Sequence, residues 1–108
     1  MRGLLIDAVP ALELSVALDR AYRLNPRVSL RPEPFGALAY HFGNRRLSFL
    51  RSPDMVRLVE ALGDHDTLAS ALTAAGIERR RWPSFQTALN TLIESDMIES
   101  DWIEAADD

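Results

Sequence analysis

An α+β domain of winged-helix type, with a three-stranded antiparallel sheet followed by three helices, is the fold this sequence predicts. Three observations lead to it. Between residues 28 and 50, short runs alternate apolar and polar residues, the two-residue period of half-buried strands. From Ser52 onward the period changes: apolar residues recur at helical spacing, with breaks at Gly63 and Gly76. The chain has 108 residues, 47% hydrophobic and 26% charged, which is enough for one modest core and too little for two domains.

Each element has its own signal. Leu14, Leu18, Ala21 and Tyr22 fall on one helical face, so a short amphipathic helix is expected over Leu14 to Leu24, stopped by Asn25-Pro26. Val28-Ser29-Leu30-Arg31 reads as the first strand, and Pro32 and Pro34 as punctuation of a loop. Ala37 to Phe42 and Arg45 to Leu50 flank Gly43-Asn44, which fits a two-residue hairpin turn. That register opposes Phe42 to Arg45, Tyr40 to Leu47 and Leu38 to Phe49. Leu38, Tyr40, Phe42, Leu47 and Phe49 then share one face, and Ala39, His41, Arg46 and Ser48 share the polar one.

Ser52-Pro53-Asp54 opens the first helix with a capping serine, a proline at the first position and an acid at the positive dipole end. Asp66-Thr67 opens the second, which closes at Gly76-Ile77, the pairing of a Schellman stop. The third is entered near Trp82-Pro83-Ser84 and carries Phe85, Ala88, Leu89, Leu92 and Ile93 as its apolar stripe. Met97-Ile98 is expected to add a short strand or a docked tail. Residues 1–26 thus read as an N-terminal extension, 27–98 as the domain, and 99–108 as an acidic tail.

Composition narrows the chemistry. There is no cysteine, so disulfides, thiol catalysis and cysteine–zinc sites are excluded. All twelve basic residues are arginine, which removes Schiff-base chemistry and the P-loop lysine. The apolar stretch from Gly3 to Leu12 is interrupted by Asp7 and Pro10 and is too short to span a bilayer, so a cytoplasmic location is expected. The formal net charge is −4, yet residues 1–93 hold twelve arginines against nine acids, and seven acids follow from Glu94 onward. A mildly basic body therefore carries an acidic end.

No nucleophile, base and orienting group stand together. His41, on the polar side of the hairpin with no carboxylate near it in sequence, reads as an exposed histidine; His65, between Asp64 and Asp66, reads as a turn residue. Arg79-Arg80-Arg81 precede the third helix, where a DNA-binding winged helix would present its recognition helix. That helix shows Gln86, Thr87, Asn90, Thr91 and Glu94 and no basic residue, so a solvated or peptide-facing arginine cluster is preferred to a DNA contact. The strand Arg45-Arg46-Leu47-Ser48-Phe49-Leu50 would lie at the sheet edge, where an extended peptide can pair with it or the arginines can blunt it.

The core Arg31-Pro-Glu-Pro-Phe-Gly-Ala-Leu-Ala-Tyr-His-Phe-Gly43, followed by Arg45-Arg-Leu-Ser-Phe-Leu50, closely resembles the mycofactocin biosynthesis chaperones, relatives of the pyrroloquinoline-quinone peptide chaperones. The likeness spans residues 20–98. It implies a non-enzymatic peptide-recognition domain, without cofactor or metal, that binds a short acidic precursor peptide ending in Val-Tyr. A radical S-adenosylmethionine maturase, which oxidatively decarboxylates that tyrosine, is the implied second partner. It further implies strand addition along Arg46 to Leu50, with Arg45 at its start, and a groove wall from Phe85, Leu89 and Leu92 of the third helix. Neither nucleic acid nor membrane is an expected partner. A winged-helix DNA-binding regulator is the alternative reading of the same fold class.

Overall fold

The computed structural model describes residues 16–100. Strand β1 (Tyr22–Leu24) leads into a meander of β2 (Val28–Glu33), β3 (Gly36–His41) and β4 (Leu47–Leu50). Helices α1 (Pro53–Ala61), α2 (Leu68–Ala74) and α3 (Trp82–Glu94) follow, and β5 (Ile98–Ser100) ends the described chain. The α+β class with a three-stranded antiparallel sheet and three helices is therefore present, the sheet in the order β2-β3-β4. A second, two-stranded sheet pairs β1 with β5, so the segment before residue 27 and the residues after Met97 are joined.

The core gathers the inner sheet face, the helices and β5. Leu58, Leu62, Leu68, Leu72, Leu89 and Met97 are fully buried there, with Ala37, Ala39 and Leu50 from the sheet. Alanines on the inner face let the helices approach closely, and α1 packs over β3 and β4. Helix ends follow their local chemistry. The Ser52 side chain accepts the Met55 N–H at 3.1 Å, and the Thr67 hydroxyl accepts that of Ser70 at 3.1 Å. Gly76, with φ 77°, closes α2 as expected: its N–H reaches Thr73 and that of Ile77 reaches Leu72. The arginines 79–81 form a 3₁₀ turn that runs directly into α3.

Four expectations are corrected. Residues 16–24 form a turn and β1 rather than the end of a helix; Leu14 and Ser15 lie outside the described residues. The reason is tertiary: the carbonyls of Leu18 and Arg20 accept the N–H groups of Ala69 and Leu68, satisfying the open donors at the start of α2. Secondly, the two-residue turn is Pro34-Phe35, between the paired Glu33 and Gly36, and β2 runs through Pro32. A proline is tolerated there because β2 is an edge strand.

Thirdly, Gly43-Asn44 lies within a longer loop, 42–45, closed by His41 N–H to Arg46 carbonyl and Arg45 N–H to His41 carbonyl bonds. Arg45, at φ 63°, supplies the left-handed residue, not Gly43. The strand register nevertheless holds, with Tyr40 opposite Leu47 and Leu38 opposite Phe49. Fourthly, the faces are exchanged. Ala37, Ala39 and His41 point inward, whereas Phe42, Leu47 and Phe49 are more than half exposed.

Candidate peptide-binding groove

His41 is thus a buried residue, 2% exposed, with a full set of partners. Its Nδ1 accepts the N–H groups of Gly43 at 2.9 Å and Asn44 at 3.1 Å, so the ring proton resides on Nε2 and is donated to Asp96 Oδ2 at 2.9 Å. Asn25 donates to the Asp96 backbone carbonyl at 2.9 Å and its carboxylate at 3.2 Å. This node ties the β3–β4 loop to the end of α3 and thereby positions β4. Asp96 stands at φ 64° immediately after α3, where its N–H bonds Ile93 and that of Met97 bonds Leu92. It occupies the position usually held by glycine in a Schellman stop.

Strand β4 is the edge of its sheet. Because Arg46 pairs with His41 through a main-chain bond, alternation makes Arg46, Ser48 and Leu50 the residues whose N–H and C=O groups face β3. The N–H and C=O groups of Leu47 and Phe49 therefore face the open edge. Beside that edge lies an open groove of about 590 Å³, formed by Ser48 to Ser52 and Met55 on one side and Ser84, Phe85, Ala88, Thr91 and Leu92 of α3 on the other. Its size is that of ligand-binding clefts, and its lining is largely apolar.

Of the residues expected to bind, Ser48, Phe49, Leu50, Phe85 and Leu92 line this groove together. Leu47 lies on the edge with its side chain on the outer face, and Arg45 and Arg46 are exposed where the strand begins. Leu89 is fully buried in the core beneath α3 and does not reach the groove wall. Met55, Ser84, Ala88 and Arg51 also line the groove without a signal in their own residue types; their places follow from which turns of α1 and α3 meet β4.

The arginines divide by partner. Arg80 pairs with Glu78 at 2.8 Å, Arg81 with Asp54 at 3.1 Å, and Arg79 lies 5.1 Å over the Trp82 ring. Arg45, Arg46 and Arg51, at the two ends of β4, have no carboxylate partner among the described residues. Asp54 joins the starts of α1 and α3, since it pairs with Arg57 within α1 and with Arg81 just before α3. The Arg81 hydrogen bond, aided by the charge of Arg57, holds its carboxyl below the ordinary aspartate value. Among the described residues no cluster of three potential metal ligands occurs, and no helix is long and apolar enough to cross a membrane.

The model of the peptide chaperone MftB family matches residues 21–99. A peptide chaperone MftB from Mycobacterium ulcerans is 43% identical over 102 residues, covering 91% of this chain and 94% of the relative. The one from Mycolicibacterium smegmatis is 46% identical over 80 residues, covering 74% and 78%. The protein of that name from Mycobacterium tuberculosis is 44% identical over 80 residues, covering 74% and 73%. No solved structure matches the chain. The matched region contains the whole meander, all three helices and both sides of the groove, and on these matches the chain belongs to the MftB peptide chaperone family, the mycofactocin chaperones its β2–β4 motif resembles.

Proposed function

We propose that this protein binds the acidic mycofactocin precursor peptide by strand addition to β4 and presents it to the radical S-adenosylmethionine maturase, performing no chemistry itself. The single observation that carries this reading is the apolar groove between the open edge of β4 and α3. Main-chain bonds to Leu47 and Phe49 supply affinity independent of sequence, and the groove takes alternate side chains of the peptide. Arg45, Arg46 and Arg51, without a carboxylate partner among the described residues, favour an acidic segment on arrival. The maturase enters through the resemblance of the β2–β4 motif to the mycofactocin chaperones.

The test is a titration with labelled precursor peptide, with random duplex DNA in parallel and the Leu47→Pro variant beside the native chain. Proline at 47 removes a donor from the open edge without touching the β3 ladder. Saturable peptide binding that this variant weakens at least tenfold is expected, with no response to DNA. Binding to DNA alone would establish the regulator reading instead, and peptide binding indifferent to Leu47→Pro would exclude β4 as the docking strand.

A further inference from the structure

The outer face of the sheet carries aromatic and aliphatic surface that extends beyond the groove; of its residues only Phe49 and Arg51 also line the groove. Phe42, Leu47 and Phe49 are 61%, 57% and 52% exposed, and Phe35, at 39%, joins them from the β2–β3 turn. The Phe35 and Phe49 rings stack at 5.6 Å, the Tyr40 and Phe42 rings meet edge to face at 5.3 Å, and Arg51 lies 5.4 Å over Phe49. Four exposed large apolar side chains grouped on one face of a small domain mark an interaction site. It is continuous with the open edge, because the residues whose main-chain groups face outward, Leu47 and Phe49, also turn their side chains onto this face.

We propose that this outer face is a second specificity surface for the bound peptide, taking the side chains that point away from the groove. The inference rests on strand addition to β4. Residues directly opposite Leu47 and Phe49 place their side chains on the same face, within reach of them. The favoured peptide therefore carries two apolar residues spaced two apart on that face, and an acidic residue a further two along, opposite Arg51. Arg51 has no carboxylate partner among the described residues and is held over Phe49, so a peptide carboxylate completes its pairing. A second copy of the chain fits this surface poorly. Edge-to-edge pairing centred on Ser48, which uses the strand's full length, sets Arg45 against Arg51 at both ends.

Phe35→Ser and Arg51→Gln test the proposal, and Phe35 lies outside both the edge strand and the groove lining. Each variant is titrated with the labelled precursor peptide and with serine-substituted versions of it, and folding is checked by thermal melting. Each is expected to weaken binding about threefold to fivefold, the scale of one cross-strand or cation–π pair. The Phe35→Ser loss should vanish against the peptide serine-substituted at its outward apolar position. Contacts between Phe35 ring protons and peptide methyls by nuclear Overhauser effect provide an independent reading. Unchanged affinity in both variants, with Leu47→Pro still disruptive, would overturn the outer-face proposal and leave strand addition standing. Indifference to Leu47→Pro would remove both. Loss of self-association or of maturase capture with peptide affinity intact would assign the face to a different occupant and equally overturn it.

Discussion

Gly36 has no side chain because the Leu50 carbonyl passes over it: a Cβ built there would lie 2.1 Å from that oxygen, at a φ of 151°. The glycine therefore governs where β4 ends and the groove begins. Gly36→Ala is expected to destabilise by roughly 2 kcal/mol or more, a melting point lower by about 10 °C, with peptide affinity falling as β4 shifts. Native-like melting would show that the edge can yield at no cost. Gly43 serves a different purpose, since its backbone lies against the His41 ring and a Cβ would meet Cε1 at 2.8 Å. Asp96 combines two requirements, a left-handed backbone and an acceptor for the buried His41 proton. Asparagine meets both, so Asp96→Asn should cost less than about 1 kcal/mol, whereas Asp96→Ala should cost about 2 to 3 kcal/mol. Chemical denaturation of the two variants separates these outcomes, and equal losses would mean that the features asparagine shares with aspartate, the left-handed backbone and the acceptor, do not account for the role of this position.

Among the elements, α1 and α3 are joined at their starts by Asp54, paired with Arg57 and, at 3.1 Å, with Arg81. A carboxyl held below its ordinary value in the fold stabilises the fold fully above that ordinary value, and the contribution is lost as pH falls through the lowered one. Asp54→Asn should therefore be less stable than the native chain at neutral pH and lose stability less steeply between about pH 5 and 2, so that the two curves converge in acid. Parallel pH–stability curves for the two proteins would remove Asp54 from that role. Other elements show what a sequence can and cannot carry. The register of β3 on β4 was legible, because two alternating runs around a short loop admit few pairings. Which face lay inside was not: alternation sorts residues into two sets, and side-chain size suggested the wrong one. Ala37 and Ala39 are inside because α1 packs closely over them, and the aromatics are left outside. His41 was misread for the same reason, its partner Asp96 being 55 residues away. β1 was hidden because its helical pattern is overridden by main-chain bonds to the start of α2 and by pairing with β5. The groove itself was half legible, its strand from the edge position and its helix from the apolar stripe. Leu89 shows the limit, since one stripe supplies both core and groove residues and only the packed angle of α3 separates them.

At the scale of the whole molecule the charge is −4, the wrong sign for attracting an acidic peptide, yet the ends of β4 are positive. Both statements hold because the charges are segregated. Arg45, Arg46 and Arg51 lack carboxylate partners among the described residues, whereas Arg80 and Arg81 before α3 are paired with Glu78 and Asp54. On the proposed reading, arrival of an acidic peptide would be governed by the near field of the β4 ends, opposed by the long-range field of the net charge. Asp101, Glu104, Asp107 and Asp108 follow β5 and account for all of the negative excess. Their removal should leave the fold intact only if the cut falls after Ser100, because Ile98 to Ser100 pair with β1. Truncation there is expected to raise the association rate for the acidic precursor severalfold at low ionic strength, and the two rates should converge as salt rises. Arg45→Glu combined with Arg46→Glu should do the reverse, slowing association and flattening its salt dependence, while a neutral control peptide responds to neither change. Stopped-flow association at several salt concentrations measures all four cases. A truncation that alters the dissociation rate instead would mean that these residues contact the bound peptide or the groove, and charge at a distance would no longer account for the effect.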